Sequence, residues 1–97
     1  MGNRRAVSQT VSGADQFTDW IVGYAGDIAS LSIAGSSFSG TVTLQRKLGD
    51  GNIRTVTTWT ADAEKSYVFD EAGEIRLGVK TGEFTSGSVA LRIGISS

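Results

Sequence analysis

Hydrophobic positions in this chain recur every second residue rather than every third or fourth. Val89, Leu91, Ile93 and Ile95 alternate with Ala90, Arg92, Gly94 and Ser96, and Ile75, Leu77 and Val79 alternate with Glu74, Arg76, Gly78 and Lys80. A period of two sends successive side chains to opposite faces of a pleated strand, so each run predicts a strand with one face buried. Asp27–Ala34 predicts another, with Ala29, Leu31 and Ile33 as a larger inward set than Ile28 alone. Small residues on its other face leave room for a second surface to approach, or simply meet solvent. Near the start, Val7, Gln9 and Val11 share one face of a short polar strand suited to a sheet edge.

The best local fold signal is a hairpin at what the pattern predicts to be the centre of a sheet. Two β-rich runs, Thr41–Leu48 and Ile53–Thr60, flank the turn-forming Gly49–Asn52. In the returning run Ile53 and Val56 are three apart while Thr55, Thr57 and Trp59 share a face. That predicts a bulge near Arg54, or a Trp59 lying where the faces no longer matter. Phe17–Tyr24 predicts an aromatic-rich strand with a bend near Gly23; Phe17 and Trp20, three apart, require a bulge or one exposed aromatic. Lys65–Phe69 predicts a short strand, and the Ser- and Gly-rich Gly35–Gly40 and Thr81–Gly87 predict loops, with Phe38 as a plug in the first.

These elements add up to seven to eight short strands with no helical pattern, in a chain without proline. The expected fold is all-β, an antiparallel β-sandwich or jelly roll spanning residues 7–97 as one domain. Residues 1–6 are polar and predict an N-terminal arm, in which Arg4 and Arg5 either lie on a neighbouring subunit or fray.

Composition narrows the chemistry. The 97 residues carry a formal charge of −1, which lacks the basic excess of a nucleic-acid binder. Cysteine and histidine are both absent, removing the thiolate nucleophile and the usual general base and zinc ligand. No apolar run is long enough for a membrane span, and Met1–Ala6 leads into Val7–Thr10 rather than an apolar leader segment. The expectation is therefore a non-enzymatic chain with no catalytic residues, no cofactor, no metal, no nucleic-acid partner and no membrane association. Asp50 and Asn52 offer oxygens of the kind a calcium loop uses, without the remaining ligands, so a hairpin tip explains them better. Asp70, Glu71 and Glu74 sit too close together on a turn to form the facing carboxylates of a glycosidase. Trp20, Tyr24, Trp59 and Tyr67 can be read as a sugar platform or as packing residues.

Three segments carry a family resemblance: Gly40–Arg46 (GTVTLQR), Trp59–Thr60, and Ile75–Gly87 (IRLGVKTGEFTSG). Together they resemble small virion structural proteins of tailed bacteriophages, where the expected pattern is GTVTLQRS-DGG-TW followed by YRLGVKAG-YTSGT and a terminal amphipathic strand. The likeness spans about residues 38–95; it departs in the longer hairpin turn at Arg46–Asn52 and in Ile75, where an aromatic is expected. The resemblance implies a capsid decoration, or cement, protein in the virion, made in the host cytoplasm. It would bind the major capsid protein, further copies of itself, or both, with Arg4, Arg5, Trp20, Tyr24, Phe38 and Trp59 as candidate partner-binding residues. The alternative it leaves open is a tail- or fibre-associated module that binds a cell-surface glycan.

Overall fold

A computed structural model of the chain describes residues 4–49 and 51–96. Their strands are β1 (Arg4–Val11), β2 (Gln16–Phe17), β3 (Ile21–Gly23), β4 (Ile28–Gly40), β5 (Val42–Lys47), β6 (Ile53–Trp59), β7 (Ala63–Val68), β8 (Gly73–Val79) and β9 (Phe84–Ser96). They form two antiparallel sheets, the first in the order β1-β9-β4-β7 and the second in the order β2-β8-β5-β6, with β3 also on β8. Since β2 and β3 pair with the same strand, they act as one interrupted strand. Apart from the β5–β6 hairpin, which stays in the second sheet, the eight resulting strands alternate between sheets in the manner of a jelly roll.

Alternation decides which residues fill the space between the sheets. Ala29, Leu31 and Ile33 of β4 face Leu91, Ile93 and Ile95 along the first sheet, and all six are buried. Val42 and Leu44 of β5, with Ile75, Leu77 and Val79 of β8, supply the second layer, and each is at most 1% exposed. Ile28 points outward at 48% exposure, as the larger inward set on β4 requires. Burying aliphatic side chains of this size contributes about 1.5–3 kcal/mol each.

Four sequence expectations change. Residues 4–6 are not a free arm: Arg4, Arg5 and Ala6 pair with Ser96, Ile95 and Gly94 at the start of β1, which is an edge strand as expected. The rest of the expected arm, residues 1–3, lies outside the described residues. The Phe17–Tyr24 strand divides, because Phe17 faces Gly78 and Ile21 faces Ile75, so four steps along one strand span three along the other. The extra residue is a bulge opposite Arg76, and it lets Phe17 and Trp20 share the outer face.

Gly35–Gly40 belongs to β4, and the expected loop at Thr81–Gly87 is strand from Phe84 onward. Ser and Gly favour turns in isolation, but here each segment has the other as its partner. The register shifts between Ser36 and Gly40 are accommodated by Ser37 at φ 52° and Gly87 at φ 82°. Finally, the hairpin forms as predicted, but its returning strand β6 is an edge with most residues exposed rather than part of the sheet's centre. Its bulge falls at Val56, since Leu44 faces Thr57 while Gln45 faces Thr55.

The two sheets exchange strands at a shared corner. There Gly40 pairs with Phe84, and Thr41 N–H donates to the Glu83 carbonyl at 2.9 Å. Nearby, a Cβ on Gly87 would run into the Ser37 carbonyl, whereas Gly82, also at positive φ (85°), has open space around it. Gly82→Ala is therefore expected to cost about 1 kcal/mol of stability, and Gly87→Ala distinctly more. Leu77→Ala, in the middle of the core, should cost about 2–5 kcal/mol. Chemical denaturation midpoints at constant m-value check all three.

Candidate functional site

On the outer face of the second sheet an arginine is held between aromatic rings. Gly78 has no side chain, and Phe17 lies in the space a Cβ would need. Above it the Arg76 guanidinium stacks 3.9 Å from the Phe17 ring centroid and 4.5 Å from that of Trp20, and the Lys47 ammonium approaches Trp20 to 4.6 Å. Arg76 Nε–H donates to Gln45 Oε1 at 2.8 Å, which keeps the 8%-exposed Gln45 hydrogen-bonded on an outward position. Burial lowers the Arg76 pKa from its usual value, and the nearby Asp15 carboxylate pulls it back up. Trp20 is thus committed to two cations of its own chain.

A second feature lies where the sandwich opens. The edge strands β6 and β7 are not hydrogen-bonded to each other, and a cleft of about 260 Å³ lies between them, lined by Leu31, Leu44, Val56, Trp59, Lys65 and Tyr67. Register places Lys65 opposite the inward-facing Leu31, so β7 carries a charge pointing into the cleft. An inward charge on one edge and a bulge on the other are devices that hinder strand-to-strand aggregation. Arg46 closes the far end, its Nη1 donating to the Tyr67 hydroxyl at 2.9 Å and lying 3.8 Å from Asp70. Tyr67 meets Phe69 edge-on with centroids 5.2 Å apart.

The third feature ties the start of β1 to the β3–β4 turn. Arg5 Nη2 lies 3.5 Å from Asp27 Oδ2, and that oxygen accepts the Tyr24 N–H at 2.9 Å. Asp27 is 6% exposed, and the Arg5 guanidinium carbon sits 5.8 Å from the Tyr24 ring centroid.

The six residues singled out from sequence are therefore dispersed. Arg4 is placed by its backbone pairing with Ser96. Arg5 and Tyr24 share the Asp27 corner, Trp20 sits on the outer face of the second sheet, and Trp59 packs half-buried against the core beside the cleft. Phe38 is half-buried, its ring 6.1 Å from that of Phe84. Of the four aromatics read as a possible sugar platform, only Trp59 and Tyr67 meet, in the cleft. The three turn acids are also divided: Asp70 lies by Arg46, and Glu74 is 3.8 Å from Lys47. Asp50 falls outside the described residues; Gly51 N–H donates to the Leu48 carbonyl at 2.9 Å and closes that turn. No group of three metal-ligating side chains occurs among the described residues.

Sequence reasoning missed the Arg76 stack and the inward Lys65. The bulge between Phe17 and Ile21 signalled the first, but only the pairing with β8 shows which cation it receives. Arg76→Ala should remove about 1–2 kcal/mol through lost stacking and stem packing, and leave Trp20 more exposed to water. Arg76→Lys should recover only part, because an ammonium lacks the flat face that lies between two rings. Denaturation curves and the red shift of tryptophan emission report the two effects separately.

No family model matches the chain, and no curated protein is similar to it. Among solved structures it is similar to the Yersinia pseudotuberculosis-derived mitogen, with a TM-score of 0.56 over 99% of this chain and 86% of that one. The two are 12% identical in sequence, so the likeness is one of β-fold alone.

Proposed function

We propose that this chain is a non-enzymatic structural protein of a tailed-phage particle, a decoration or cement protein that binds the head shell. The observation that supports this reading is the placement of the resembling segments. Gly40–Arg46 and Ile75–Gly87 are adjacent in space, β5 pairing with β8 and Thr41 with Glu83, while Trp59 pairs with Val42. Their glycines have structural duties: Gly78 makes room for Phe17, and Gly87 adopts a positive φ against the Ser37 carbonyl. The shared pattern thus encodes one block of scaffold, which is the kind of unit a family keeps.

The remaining surface suits a shell-binding role. Short turns join the chain's strands, and a rigid scaffold of that kind can dock repeatedly on a lattice with little ordering cost. Binding energy would come from a few buried anchors rather than from a catalytic group.

The test is to follow the chain through purified particles of a phage that encodes it. It should be present in the high copy number of a shell component, and its release should leave intact heads with lower heat resistance. Co-purification with tails in a handful of copies would contradict the proposal and favour the tail or fibre module. In that case a glycan array, compared with Trp59→Ala, would report whether the Trp59–Tyr67 cleft holds sugar.

A further inference from the structure

The outer face of the first sheet carries few charges, and their positions are fixed by register. One row across the strands reads Ser8, Arg92, Ser32, Glu64, from β1 through β9 and β4 to β7. The next row reads Ala6, Gly94, Ser30, Ser66, and on the other side Thr10, Ala90 and Ala34 follow. Arg92 and Glu64 therefore stand on opposite sides of β4 in a field of small side chains, and register puts a second arginine, Arg4, at the β1 end of the row of Ser96, Ile28 and Val68. Neither Arg92 nor Glu64 has an ion-pair partner among the described residues. Gly94 leaves room for the Arg92 guanidinium to lie along the face, since a Cβ there would come within 2.8 Å of Nη1. At one end of the face, Ile28 and Val68 are paired and exposed by 48% and 59%.

We infer that this face is a self-complementary docking surface whose occupant is a second copy of the chain. A two-fold axis lying between two copies, running along β4 through Ser32, exchanges the positions of β9 and β7. Each copy's Arg92 then meets Glu64 of the second copy, and the Ile28 side chains meet on the axis. An axis running across the strands would instead set Arg92 against Arg92 and Glu64 against Glu64. The charges thus select one of the two ways of stacking the face on itself, which is the main service of charge pairs at an interface. Such an arrangement is isologous and closed, so it ends at a dimer.

Area and shape agree with this occupant. In this arrangement β9, β4 and β7 of the two copies overlap while β1 overhangs, and three strands about 4.8 Å apart, over about eight residues at 3.4 Å each, give a footprint of about 400 Å² per copy. The total of about 800 Å² lies in the range of weak, reversible interfaces, which is the size a concentration-dependent monomer–dimer equilibrium calls for. Two such faces can stack in the aligned mode, whose strand directions about 30° apart need the axis tilted by only about 15° from β4, and the small residues let the backbones approach closely. The inference goes beyond the proposed function and holds whichever part of a particle carries the chain.

Sedimentation equilibrium of the full chain over a concentration series tests it. The expected result is a monomer–dimer equilibrium that Arg92→Glu and Glu64→Arg each weaken at least tenfold. The double variant Arg92→Glu/Glu64→Arg, with its charges exchanged, should return to within a few-fold of the original. Ser32→Arg, which places two cations on the axis, should give a monomer with unchanged circular dichroism and thermal midpoint. A chain that stays monomeric throughout, a dimer indifferent to the single changes, or a double variant no better than the singles would overturn the inference.

Discussion

The antiparallel ladder between β4 and β9, from Ile28–Ser96 to Gly40–Phe84, is the constraint on which the rest of the structure depends. These are the two longest strands, and they occupy the middle of the first sheet. Their register decides which residues enter the core, because side chains alternate and a slip by one residue would turn every one of them over. In the observed register Leu31 and Ile93 point inward while Ser32 and Arg92 point outward. The same ladder delivers both chains to the corner at Gly40 and Phe84, so it also fixes how the second sheet is joined to the first.

Much of this was legible from spacing. Ile75, Leu77 and Val79, and Val89 through Ile95, alternate so regularly that strand, face and burial follow together. The hairpin around Gly49–Asn52 was readable for the same reason, since turn formers separate two β-rich runs. What could not be read was position within a sheet. β6 has residues that fit a buried strand, and only the pairing order shows that it has a single neighbour. The Ser- and Gly-rich Gly35–Gly40 shows the opposite case: local preference favours a loop, and a partner strand overrides it. For the candidate residues, an exposed aromatic and one stacked by its own chain's cations have the same signature. Trp20 shows this, because its lysine and arginine come from β5 and β8, both distant in sequence.

The molecule divides its polar and aromatic residues between two tasks. Those around Arg76, around Asp27 and at Arg46–Tyr67 satisfy one another, and so they stiffen the ends and the outer wall of the second sheet. Those on the outer face of the first sheet leave an arginine and a glutamate without ion-pair partners among the described residues and surround them with small side chains. A rigid scaffold with one low-relief face suits a protein whose work is to meet other protein surfaces. That is the role proposed for it, as a binder of a phage head shell; the dimer inferred from register would occupy the outer face of the first sheet and leave the other surfaces to meet the shell. The two edge strands that flank the cleft are guarded by Lys65 and by the Val56 bulge, which directs association toward faces rather than edges.

Because every one of these assignments descends from the β4–β9 register, the most direct measurement is of cross-strand contacts between those strands by solution NMR. The account predicts contacts that pair Ser32 with Arg92 and Ile33 with Leu91. Contacts pairing Ser32 with Leu91 or with Ile93 would shift the ladder by one residue, exchange its inner and outer faces, and contradict the account.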